Sequence, residues 1–341
     1  MSADPQVPEK RRGGKQAAQS GAMAEVMDRP TDAIRLRFID RAPAKIEPYL
    51  RLMRLDRPIG IWLLFWPCVF GLELGTSFRG EMTFPKGSHI LLCALGAILM
   101  RGAGCTYNDI VDRRIDAKVA RTRARPLPSG AVTVKEAWVF MAIQLLAALG
   151  ILIAICAQSP IGAFNRFAGL VAVTSLLFVA AYPFMKRITW WPQAWLGLTF
   201  NWGVLFGFAA AAGTLDVPAW LFYAGCFFWT IGYDTLYAFT DIQDDLLIGV
   251  KSSAIRLGEQ AHPWLYAFYA SAIGLMLAGG VASGLGLIYI FAMLLPGLHL
   301  YWQVKRLRIE DPAICLRLFK SNRDTGALIA LALLIGAIAQ V

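Results

Sequence analysis

Apolar residues run through this chain in long stretches rather than in the alternation of a half-buried strand. Nine stretches are long enough to cross a bilayer as a helix, which takes about 20 residues. They lie near 59–77, 89–107, 133–157, 165–183, 190–212, 217–238, 263–281, 284–302 and 324–341. Strands rarely exceed about 10 residues, so these runs predict helices. In lipid, a helix satisfies its own backbone, which an isolated strand does not. The pattern predicts an all-α, polytopic membrane protein of nine transmembrane helices.

Ahead of the first run the pattern changes. Residues 1–47 are polar, basic and without periodicity, and are expected to be a disordered tail, leaving 48–341 as the transmembrane domain. Acidic residues (Asp4, Glu9, Glu25, Asp28, Asp32) make the tail too acidic for a typical transit peptide, and its shortness favours a bacterial inner membrane over a mitochondrial one. Between them, Pro48 to Asp56 ("PYLRLMRLD") alternates apolar and basic residues at helical spacing, and is expected to lie in the membrane interface.

Composition fits this picture. Of 341 residues, 57% are hydrophobic and 16% charged, against about 25% charged in soluble domains, and the mean hydropathy is +0.52. The net charge of +10 raises nucleic acid as a partner, but its placement excludes it. With the N-terminus in the cytoplasm and every run crossing, 30 of the 33 Lys and Arg fall on the cytoplasmic side. Only Arg79, Lys86 and Arg166 fall outside, with Val341. That bias is a topology signal and a means of contacting anionic lipid. Six cysteines show no CxxC pairing and three histidines stand apart, so neither type predicts a metal site.

The chemistry sits in two acidic segments. "NDIVD" at 108–112 is echoed by "TDIQDD" at 240–245. Each follows an apolar run, the second and the sixth. Four runs separate them, so both emerge on one side. The chain thus divides into two four-helix halves plus a ninth helix. Asn108, Asp112 and Asp116 are spaced i, i+4, i+8 and share one helix face; Asp241 and Asp245 repeat the i, i+4 step. Oxygen ligands without His or Cys select a hard cation, and Mg²⁺ characteristically shares its shell with substrate phosphate. Arg101, Arg125, Lys186 and Lys251 lie near these acids, and Tyr182 stands one turn before Lys186. Metal-binding carboxylates beside cations predict a diphosphate site. A cation transporter is the rival from another class. It would hold its ionisable groups near the bilayer midplane, not at cytoplasmic helix ends.

At these residues the chain resembles the intramembrane prenyltransferases of the UbiA superfamily. "NDIVDRRID" is similar to that family's first acidic motif and "DIQDD" to its second. "RTRARPLPSG", Tyr182–Gly203 and Tyr233–Ala254 resemble the branch that prenylates 4-hydroxybenzoate in ubiquinone biosynthesis. The resemblance covers roughly 48–341 and implies nine helices around a central cavity capped by the acidic loops. It implies metal ligation by Asn108, Asp112, Asp116, Asp241 and Asp245. It further implies diphosphate contact by Tyr182 and Lys186, a place for Arg57 near the acceptor, and Mg²⁺, a polyprenyl diphosphate and 4-hydroxybenzoate as partners. Asp234 and Asp244 receive no role from it. Haem, homogentisate, a naphthoate or a sugar phosphate are the alternative acceptors within the superfamily. An aromatic set, Trp190, Trp191, Trp195, Phe200, Trp202, Phe206 and Phe227 to Trp229, is expected near the cavity.

Overall fold

A computed structural model describes residues 36–80, 85–118 and 122–339. Most of the expected tail therefore lies outside the described residues. Two short helices lead in, α1 (Arg37–Asp40) and α2 (Glu47–Leu52). The long helices follow: α3 (Ile59–Phe78), α4 (Gly87–Asp116), α5 (Val134–Ala157) and α6 (Arg166–Ile188). Next come α7 (Pro192–Phe200), α8 (Trp202–Ala212), α9 (Val217–Ala238), α10 (Ile242–Ile248) and α11 (Ser253–Leu257). The last are α12 (Ala261–Ala282), α13 (Leu287–Ala292), α14 (Leu294–Arg306), α15 (Pro312–Lys320) and α16 (Asn322–Ile338). No strand occurs among the described residues.

Eight helical segments are long and apolar enough to cross a membrane, and together they make this a multi-pass integral membrane protein. The expected count was nine. The difference is α9, which is helical over 22 residues but carries Asp234, two glycines and several Trp and Tyr that dilute its apolarity. Its position explains that composition. Phe222, Trp229 and Tyr233 are fully buried, so α9 faces protein where α5 and α6 face outward with Leu146 and Leu177. A helix shielded from lipid can carry polar atoms that a lipid-facing one cannot.

Small residues set the closest helix contact. Gly71 and Gly75 on α3 pack against α8, the second half of the fifth span, which presents Gly203 and Gly207 to α3. A Cβ on Gly75 would sit 2.8 Å from the Phe208 carbonyl oxygen, and one on Gly203 would sit 2.9 Å from the Cys68 nitrogen. Apolar transfer does not drive helices together in lipid, so this backbone approach is the source of the contact energy. The fifth span breaks at Asn201, between α7 and α8. Its side-chain amide donates to the carbonyls of Gly197 (2.8 Å) and Cys226 (3.0 Å) and to Thr230 Oγ1 (2.7 Å). The first bond satisfies a carbonyl that the break would otherwise strand, and the other two fasten the break to α9. Trp195 and Trp202 donate their indole N–H to the carbonyls of Phe178 and Val171, fastening this span to α6.

The second helix of each predicted half packs on the third, α4 on α5 and α9 on α12, as a duplicated unit requires. The lead-in segment departs from expectation. The helix of residues 48–56 ends at Leu52, and Arg54 adopts a left-handed backbone, φ 58°. Leu52 is buried with Ile110, Leu127, Val132 and Ala137, and Arg54 turns inward. The segment folds onto the bundle, where a buried carboxylate on α4 pairs with Arg54.

Candidate active site

α4 runs nine residues past the predicted end of its apolar run, so the first acidic segment is helical throughout. Asn108, Asp112 and Asp116 therefore do stack along one stripe. Their partners are basic. Asp112 is fully buried and accepts from two side chains at the end of α6, Lys186 Nζ on one oxygen and Arg187 Nη2 on the other at 2.9 Å. Asp116 accepts from Arg125 at 2.7 Å. Asp109 is 1% exposed. Its Oδ1 takes Arg54 at 2.6 Å and Arg125 at 3.4 Å, while its buried Oδ2 has no partner. Burial works to lower the Arg54 pKa, and the Asp109 carboxylate overrides it, so the guanidinium is held above its usual value.

The chain after α4 folds back to deliver Arg125. Thr122 Oγ1 donates to the Asp116 carbonyl at 2.8 Å, and the "RPLPSG" turn closes with Gly130 at φ 79°. Only glycine adopts that conformation cheaply. A capping box between Thr133 and Glu136 then starts α5.

A cavity of about 700 Å³ opens beside this cluster. Its polar wall carries Arg54, Arg57, Arg101, Asn108, Asp109, Arg125 and Tyr182. Tyr233, Asp234, Tyr237 and Lys320 also line it. Elsewhere it is apolar, with Leu145, Leu149, Val173, Leu176 and Val179 between α5 and α6. Leu149, Val173 and Leu176 are also exposed, so the cavity communicates with the outer surface through the seam of these two helices. Of the expected aromatic set, Phe200, Trp202 and Phe206 line the cavity and the rest pack elsewhere. Trp229, for instance, is buried with its indole N–H on Asn322.

Arg101 packs into the space left by Gly60, where a Cβ would lie 2.7 Å from its Cζ, and sits 5.6 Å from the Phe200 ring centroid. Its Nε is buried without a hydrogen-bond partner. Lys251 does not line the cavity. Its ammonium donates to the Ile188 carbonyl at 3.3 Å and lies 5.6 Å from the Trp190 ring centroid, so it caps α6. Lys186, Asp112, Asp116, Asp241 and Asp245 likewise stand outside the cavity lining. In the second acidic segment Asp241 ends a single 3₁₀ turn and precedes α10, which contains Asp245. The i, i+4 pair thus straddles a junction, and both acids are half-buried.

The donor set suits a hard cation, since it offers carboxylate and amide oxygens, and one buried oxygen, Asp109 Oδ2, has no partner. No group of three or more Asp, Glu, His or Cys is gathered to hold a metal among the described residues. Asp112 and Asp116 instead turn oxygens to Lys and Arg. Three residues of this cluster escape sequence reasoning: Arg54, Asp109 and Arg187. Asp109 had a signal, since it lies seven residues before Asp116, two helical turns, and Arg125 bridges the two. The Arg54 contact spans 55 positions and has no local signal.

An apolar cavity inside a membrane bundle, open along a helix seam and ringed at one end by carboxylates and cations, defines an intramembrane enzyme that handles an amphiphile with an anionic head. The chain belongs to the UbiA prenyltransferase family, which matches residues 64–335. It is therefore a prenyltransferase. Over 300 residues it is 43% identical to the human protein named 4-hydroxybenzoate polyprenyltransferase, mitochondrial, covering 87% of this chain and 77% of that one. A UbiA homologue from Aeropyrum pernix K1 superposes with a TM-score of 0.64 at 27% identity, over 79% of this chain and 96% of that one. One from Archaeoglobus fulgidus, bound to GPP and Mg²⁺, gives 0.61 at 20% identity over 86% and 99%, and shares the fold. The human relative's name places it in mitochondria, so it lends no support to the bacterial inner membrane expected from the tail.

Proposed function

We propose that this chain transfers a polyprenyl group from a polyprenyl diphosphate to the ring carbon ortho to the hydroxyl of 4-hydroxybenzoate. The observation that carries this is the cavity itself, an apolar volume of about 700 Å³ whose one polar wall holds four arginines. The identity to relatives named for that acceptor supports it. In this reading α9 also crosses and brings the number of crossings to nine, both acidic segments face the cytoplasm, and the C-terminal end of α16 lies on the far side. The thirty-to-three distribution of basic residues supports that orientation.

Asn108, Asp112 and Asp116 on α4, with Asp241 and Asp245 across the site, are the residues that would hold divalent cations. Bound there, Mg²⁺ would neutralise charge on the diphosphate oxygens. Arg125, Tyr182 and Lys186 bind the diphosphate. Stabilising its growing charge lets the allylic C–O bond break, leaving a delocalised cation in the cavity. The ring carbon attacks, a C–C bond forms, and the ring proton leaves to restore aromaticity. The apolar wall excludes water that would trap the cation. Arg101, expected at the diphosphate, fits the acceptor better. It lies two turns before Asn108, about 10 Å deeper in the bundle, and its Nε has no protein partner. With Arg57 it faces the carboxylate of the acceptor. The prenyl tail leaves along the α5–α6 seam. The test is product mass spectrometry on membranes given one prenyl donor and a panel of acceptors. Prenylated 4-hydroxybenzoate as the main product is expected; a preference for homogentisate, a naphthoate or haem overturns the acceptor assignment.

A further inference from the structure

Each of the two oxygens of Asp112 holds a separate basic side chain, Lys186 on one and Arg187 on the other. The carboxylate is fully buried, while Lys186 and Arg187 are 29% and 43% exposed. A buried carboxylate demands compensation, and here the compensating groups are anchored on one side only and reach solvent on the other. The backbone of the segment after Asp245 is tied to the same helix end, with Lys251 N donating to the Lys186 carbonyl at 3.3 Å.

We infer that Lys186 and Arg187 compete with a divalent cation for Asp112, and that the diphosphate relieves the competition by drawing both side chains onto its own oxygens. Arg187 is thereby a second diphosphate-binding residue, beside Lys186. The inference rests on the prenyltransferase reading of the site. Its physical content is a linkage. A metal that approaches Asp112 alone meets two like charges. A diphosphate offers those charges a better partner, so each ligand tightens the other. The arrangement keeps metal from occupying the site without substrate, and it delivers two cations to the leaving group along with its metal.

The test uses the full chain in detergent, with Mn²⁺ binding followed by electron paramagnetic resonance, with and without inorganic diphosphate. Wild-type protein is expected to bind Mn²⁺ about tenfold or more tightly when diphosphate is present, the range of one charge-assisted contact. Arg187→Gln is expected to bind Mn²⁺ more tightly than wild type without diphosphate and no more tightly with it, so the coupling shrinks. Arg187→Lys should restore the coupling, which controls for misfolding. A fixed neighbouring charge would behave differently: its removal would tighten Mn²⁺ equally in both conditions. Unchanged coupling in Arg187→Gln overturns the competition and leaves the prenyltransferase reading intact. Absence of Mn²⁺ binding to the wild type even with diphosphate overturns the metal–diphosphate site and the competition together.

Discussion

Asp109→Asn tests whether the inward-turned lead-in segment is held by charge. Asp109 is 1% exposed and Arg54 is 8% exposed, so the pair is buried. Breaking such a pair from one side costs about 3–5 kcal/mol, because the remaining charge is left without a partner. Two features place this case near the lower end. Arg125 keeps its 2.7 Å contact with Asp116, and the asparagine oxygen still accepts from Arg54. A loss of about 3 kcal/mol is therefore expected. Arg54→Gln should cost a similar amount, since Arg125 is then the sole cation left on Asp109. The double variant should be little worse than either single one, which corresponds to a coupling of about 2.5–3 kcal/mol. The assay is thermal unfolding of purified protein in one detergent, read for all four proteins. Additive losses, or an Asp109→Asn midpoint equal to wild type, would refute the claim that this ion pair fixes the segment.

Further outcomes follow from the same geometry. Asp112→Ala and Asp241→Ala should each abolish most prenyl transfer while the protein still inserts, checked by membrane fractionation and turnover at saturating Mg²⁺. Lys186→Gln should raise KM for the prenyl donor, lower kcat, or both, and leave the 4-hydroxybenzoate KM nearly unchanged, since the ammonium meets charge that grows as the C–O bond breaks. Single cysteines at Gly130 and Gly249, in a background without native cysteines, should label from the same side of the membrane; opposite sides would break the shared site.

The helical runs were legible because each crossing must be long and apolar, and the first acidic stripe because helix geometry turns i, i+4, i+8 into one face. Less was legible where tertiary partners decide. α9 departs from the apolar pattern because it faces protein, and its Asp234 lines the cavity. The fifth span carries a break that only Asn201 and its partners on α9 explain. Arg54 reads as an interfacial cation in "RLMRLD", and only the buried Asp109 shows why it turns inward. Lys251 follows the second acidic segment, where a phosphate contact would fit equally well, yet its ammonium caps α6.

The central claim is that the carboxylates and cations at the cavity mouth ionise a polyprenyl diphosphate so that its carbon chain joins 4-hydroxybenzoate. The most direct measurement reconstitutes the purified chain in liposomes with both substrates, and counts released diphosphate against ring-prenylated product, with Mg²⁺ and with a chelator. The account predicts equal amounts of both with Mg²⁺ and neither with the chelator. Product formed at an undiminished rate in the chelator, or diphosphate released with no prenylated 4-hydroxybenzoate, would contradict it.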